Sequence, residues 1–163
     1  MRQWSLLIPL IALLGGTAFC WADRVEAVDV AVIVNKHNAV DDFSLEDLVR
    51  VFRQDRQYWS PGKKIGLILQ WFQSKEKQLI LRQVYRMDDQ ELKQFWLGKM
   101  FKGEIEAFPV TVTSNLTVKE LVSQLDEAIG FVNVSVIDAT VKAVRINGKL
   151  PGEPGYVLHD EYL

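Results

Sequence analysis

The strongest constraint in this chain is the run Val28, Val30, Val32 and Val34, with Ala31 and Ile33 between them. Both faces of such a strand are apolar and β-branched, so it must be covered on both sides. That is the condition of a strand inside a parallel or mixed sheet flanked by helices. Asn35, Lys36, His37 and Asn38 stop the run with loop chemistry. Ser44 then stands at a helix N-cap, and Glu46 and Asp47 follow in the first turn, where negative charge suits the helix dipole. Leu45, Leu48, Val49 and Phe52 share one helical face. Tyr58, Trp59, Ser60, Pro61 and Gly62 close the unit with an aromatic pair and a turn.

Further along, Lys64 to Gln70 reads as a second buried strand, and Trp71, Phe72 and Gln73 as the loop after it. Ser74 caps a helix that carries Leu79, Ile80, Leu81, Val84 and Tyr85. Asp88 and Glu91 have capping-box spacing ahead of a stripe of Leu92, Phe95, Trp96 and Met100, and Gly103 ends that helix. Phe108 to Val112 reads as extended chain. Thr117 and Glu120 repeat the capping-box spacing before Val118, Leu121, Val122 and Leu125. Ile129 to Val136 and Val141 to Ile146 read as strands, and the tail from Pro151 as extended surface chain. The pattern predicts an α/β fold with a mixed sheet of about five strands flanked by four helices. Leu48, Phe52, Phe95, Trp96, Leu121 and Phe131 form the expected core.

The first 22 residues have the pattern of a signal peptide. Arg2 supplies a short positive region, Leu6 to Ala18 an apolar one, and Cys20 and Ala22 the −3 and −1 positions of a cleavage site before Asp23. The apolar run is shorter than the roughly 20 residues of a spanning helix, and Phe19 before Cys20 does not suit lipid attachment. Cleavage leaves residues 23–163 as one domain without cysteine, which excludes thiol chemistry and disulfides. Arg2 is the only charged residue removed, so the net charge passes from −2 to −3. An exported acidic domain of this kind fits the periplasm of a Gram-negative cell, does not span the membrane in its mature form, and is no general nucleic-acid binder.

Catalytic patterns are absent. The histidines, His37 and His159, are far apart in loop-like sequence, which argues against a metal site. No serine lies in a G-x-S-x-G elbow. The Asp41–Asp42 and Asp88–Asp89 pairs precede helices, where capping accounts for them. No enzyme activity and no cofactor are expected. The loop after the second strand is different, because loops at strand ends of open α/β sheets often line ligand sites. There the Ser74 helix start offers backbone N–H groups and a hydroxyl to an anion, with Lys75 adding charge. An ordinary cap beside a solvated lysine explains the same residues.

Three stretches, in order, resemble the phosphate-type periplasmic solute-binding proteins. Val30–Asn35 with Phe43–Phe52 and Trp59 is similar to a strand, a "LSLEDLRRIF" helix and a Trp-containing turn. Phe95, Trp96, Phe101, Lys102 and Gly103 look like a helix end of that family, and Ala128 to Val132 like its "GAIGYV" strand. The resemblance implies a single lobe of the type 2 periplasmic binding-protein fold and a role in binding phosphate or another small anion for uptake. In the full-length family one lobe contributes an arginine and a Gly-Ser-Gly-Thr helix start. The matching stretch here is Gln70 to Lys75, which keeps the serine but has neither the arginine nor the glycines. The candidate ligand-binding residues are therefore Trp71, Gln73, Ser74 and Lys75. The alternative is an envelope interaction module that has lost the ligand, with Trp71 and Phe72 meeting a transporter, a porin or another envelope protein.

Overall fold

The computed structural model describes residues 28–161; the signal-peptide reading of residues 1–22 lies outside them. Strand β1 (Val28–Asn35) is followed by β2 (Asp42–Phe43), helix α1 (Leu45–Phe52) and the hairpin β3 (Tyr58–Ser60) with β4 (Lys63–Lys64). Then come β5 (Gly66–Gln70), α2 (Lys75–Ile80) continued by a π-helical turn over Leu81–Tyr85, and α3 (Asp89–Phe101). The remainder is β6 (Val110–Val112), α4 (Asn115–Gln124), β7 (Ala128–Asn133), a 3-10 turn over Val134–Val136, β8 (Val141–Ala143), β9 (Arg145–Ile146) and β10 (His159–Asp160).

The main sheet has six strands in the order β10-β1-β7-β5-β6, with β8 also on β1. Strands β5, β6 and β7 run parallel, and β1 is antiparallel to β7. The expected neighbours β1 and β7 do pair, from Val30 opposite Asn133 to Val34 opposite Ile129. The parallel crossovers put helices on both faces, as short parallel connections require. The alternation within β1 then divides the core. Val30, Val32 and Val34 pack with Leu48, Phe52, Leu79 and Tyr85 on one side, whereas Ala31 and Ile33 pack with Val118 and Val122 of α4 on the other.

Local signals explain most element ends. Ser44 accepts the Asp47 N–H at 3.0 Å, and Asp88 and Glu91 form the reciprocal capping box. Gly103, at φ +69°, ends α3 in the left-handed region where glycine has no Cβ penalty. The fourth helix starts earlier than the Thr117–Glu120 spacing suggests: Ser114 is its cap and accepts the Thr117 N–H at 3.0 Å. The strand expected over Ile129–Val136 ends at Asn133, whose side chain accepts the Ser135 N–H and turns the chain into the 3-10 segment. Val141–Ile146 splits in two: β8 pairs with β1, and β9 pairs with β2.

Two expectations are corrected. The tail is surface chain only as far as Gly155. Tyr156 and Leu158 are buried, the Tyr156 hydroxyl donates to the Val30 carbonyl at 2.8 Å, and β10 joins the edge of β1. Phe95 and Leu121 are only half-buried, unlike Leu48, Phe52, Trp96 and Phe131. Phe95 lies at the core margin, where Arg53 stacks over its ring at 4.9 Å.

Candidate functional site

The parallel strands β5, β6 and β7 end side by side at Gln70, Val112 and Asn133, and α2 and α4 begin just beyond β5 and β6. The carboxyl end of such strands is where open α/β sheets bind ligands. Ser74 occupies the expected N-cap, and its Oγ accepts the Lys77 N–H at 3.0 Å.

That hydroxyl does not face outward as a free donor. It donates to Oε1 of Gln70 at 2.9 Å. Gln70 is buried, and its Nε2 donates to Oδ1 of Asn115 at 2.5 Å and to the Phe131 carbonyl at 3.2 Å. Asn115 Oδ1 also accepts the Asn133 N–H at 3.1 Å, and Asn133 Nδ2 donates to Oε1 of Glu76 at 2.8 Å. One chain of hydrogen bonds thus ties the ends of β5 and β7 to the starts of α2 and α4. Its polar groups are satisfied from within, as burial demands.

The candidates do not form one cluster. Ser74 belongs to this network. Gln73 donates to Asp89 instead, and lines a shallow hollow of about 550 Å³ with Gln78, Arg82 and Arg86. Lys77, not Lys75, makes the local ion pair: its Nζ lies 2.5 Å from Asp89 and donates to the Trp71 carbonyl at 3.2 Å. Burial raises the Asp89 carboxyl, but hydrogen bonds from Lys77 and Gln73 outweigh it and hold the group below the usual carboxylate range. Lys75 is exposed. Trp71 is 67% exposed and is anchored through its backbone: its N–H donates to the Val112 carbonyl at 2.8 Å, and its carbonyl accepts from Lys77.

Sequence reasoning missed Gln70, Glu76, Asn115 and Asn133. Gln70 reads only as the end of a strand, and Asn115 falls ahead of the helix expected from Thr117. The available signal was a polar residue closing an otherwise apolar strand, since a buried amide needs partners from other strand ends. Glu76 matters for electrostatics. It is 8% exposed and sits in the first turn of α2, so the helix start already carries its own negative charge. With Ser74 bound to Gln70 and a carboxylate alongside, the arrangement is poor at attracting a further anion.

Of the two histidines, His159 pairs with Asp29 at 2.7 Å on β1. The aspartate pairs act in structure: Asp41 lies 2.6 Å from Lys142, and Asp42 accepts the Gly148 N–H at 3.1 Å. No helix among the described residues is long and apolar enough to cross a membrane.

The fold matches solved receptors. An ABC-type phosphate transport receptor from Vibrio cholerae superposes with a TM-score of 0.67 at 20% identity, over 83% of this chain and 55% of that one. The chain has the fold of one lobe of such a receptor. PstS from Borrelia burgdorferi gives 0.63 at 17% identity over 82% and 55%, and a putative phosphate ABC transporter substrate-binding protein from Clostridium perfringens, solved with bound phosphate, 0.61 at 18% over 77% and 47%. The chain therefore spans about half the length of these receptors. No family profile matches the sequence. These neighbours are transport-associated binding proteins and not enzymes.

Proposed function

We propose that this protein is an exported solute-binding-like lobe of the bacterial envelope, working beside an uptake system, whose strand-end surface meets another protein instead of gripping phosphate alone. The observation that carries this is the closed network: Gln70 takes the Ser74 hydroxyl that an anion would need. Tight oxyanion binding requires several free convergent donors and a site closed to water. With the Ser74 hydroxyl engaged by Gln70, the described strand ends offer few such donors. The signal-peptide pattern in the sequence of residues 1–22 supports export, and mass spectrometry of the mature N-terminus checks it: Asp23 as first residue agrees, and an intact Met1 contradicts it.

The second reading is weak binding of phosphate or another small anion, linked to uptake. It is favoured by two serine-capped helices, α2 and α4, that start beside each other at the strand ends. Isothermal titration with phosphate separates the two. The proposed reading expects a dissociation constant of millimolar order or weaker, roughly −4 kcal/mol, with Ser74→Ala making no difference. Micromolar binding that is lost in Ser74→Ala overturns it and makes the chain an autonomous receptor.

A further inference from the structure

The turn that follows β9 carries a reactive arrangement. Asn147 and Gly148 form the tight turn that pairs Ile146 with Lys149, at φ +53° and +77°, the left-handed conformation that such a turn requires. Both residues are exposed, and Asn147 is the only asparagine of the chain followed by glycine. The backbone nitrogen after an asparagine can attack the side-chain carbon Cγ and close a cyclic imide. Three things ordinarily hold that reaction back. The amide N–H gives up its proton poorly, the carboxamide carbon is a weak electrophile, and the next side chain crowds the nitrogen.

The fold acts on all three. The Gly148 N–H donates to the Asp42 carboxylate at 3.1 Å, so a base already holds the proton of the attacking nitrogen. Oδ1 of Asn147 accepts the Leu45 N–H at 3.0 Å, at the first residue of α1. A backbone donor at a helix N-terminus draws electrons away from Cγ and stabilises negative charge that develops on this oxygen, as in an oxyanion hole. Gly148 brings no side chain, and nothing lies within 4 Å of where a Cβ would stand, so water reaches the turn. Leu45 and Asp42 lie 102 and 106 positions from the residues they contact, so tertiary structure supplies both groups.

We infer that Asn147 is a self-modification site, where Asp42 and the start of α1 promote its deamidation. The Gly148 nitrogen bonds to Cγ of Asn147 while its proton passes to the Asp42 carboxylate. The carboxamide C–N bond then breaks, and the nitrogen takes that proton back and leaves as ammonia. Water opens the imide at either carbonyl, giving an aspartyl or an isoaspartyl residue. The net change is asparagine plus water to acid plus ammonia, with no other reactant. The isoaspartyl product adds a carbon to the backbone of the turn, which pulls apart the contacts that join it to β2 and α1.

Ageing the purified protein in mildly alkaline buffer, folded and in urea, is the test. Mass spectrometry of peptides spanning Asn147 follows the conversion, and electron-transfer fragmentation tells isoaspartyl from aspartyl. Conversion at Asn147 is expected about tenfold faster in the folded protein than in urea, with Asn35, Asn38, Asn115 and Asn133 unchanged over the same period. Asp42→Asn should slow the folded reaction about tenfold and leave the rate in urea as it was. Asp42 is exposed, and near-UV circular dichroism verifies that this variant folds; the wild-type comparison needs no variant. A folded rate no faster than the rate in urea overturns the inference, because the two hydrogen bonds then only lock the side chain. A folded rate indifferent to Asp42→Asn overturns it as well.

Discussion

Nε2 of Gln70 lies 2.5 Å from Oδ1 of Asn115, joining the last residue of β5 to the first residue of α4 across 45 positions of sequence. The same Gln70 side chain accepts from Ser74, so one buried amide holds two helix starts in place. Replacing it by an apolar residue strands partners that have little water to turn to.

Gln70→Leu is therefore expected to destabilise the fold by about 1–3 kcal/mol, the cost of leaving buried polar groups unsatisfied. Urea denaturation measures it. A change below a few tenths of a kcal/mol would mean that Ser74 and Asn115 find other partners.

Phe52 is fully buried between Tyr85 and Phe131, at centroid distances of 6.3 Å to each, and its carbonyl accepts the Tyr85 hydroxyl at 2.9 Å. Phe52→Ala should cost about 3–5 kcal/mol through lost burial and the cavity left behind. A loss under roughly 1 kcal/mol is incompatible with that packing.

Gly130 lies within β7 where α4 crosses the sheet. A Cβ there would sit 2.7 Å from Cγ1 of Val118 and 3.2 Å from the Ile68 carbonyl oxygen. Gly130→Ala is expected to push α4 outward and cost about 1–3 kcal/mol. The companion variant Gly130→Ala/Val118→Ala should recover part of that loss, and an unchanged melting temperature in the single variant would refute the close approach.

The β10 clasp depends on pH. His159 is raised above its ordinary value of 6.5, chiefly by its hydrogen bond with Asp29, with Glu161 acting in the same direction. A raised folded value means that the protonated clasp stabilises fully below about pH 6.5 and fades as pH rises through the folded value. Hydrogen exchange at Val28 and Asp29 should accelerate above the ordinary pH trend over that window. In His159→Gln the extra acceleration should vanish; if it persists, another group controls the edge.

Sequence alone determined what depends on neighbours along the chain. The two-faced strand Val28–Val34, the Ser44, Ser74 and Asp88 caps and the glycine end at Gly103 were all legible, because periodicity and capping act within a few residues. The sheet-forming class followed from them. Only tertiary structure decided the rest. That Ser74 would be bound to Gln70, that Gln73 would turn to Asp89, and that Asn133 would reach Glu76 depend on parts of the chain brought together by the fold. The tail carries the same lesson. Its glycines and prolines read as surface chain, yet Tyr156 and Leu158 cover the open edge of β1. An unpaired strand edge and an exposed apolar side chain are costs that the folded sheet imposes, and they have no signature in local sequence.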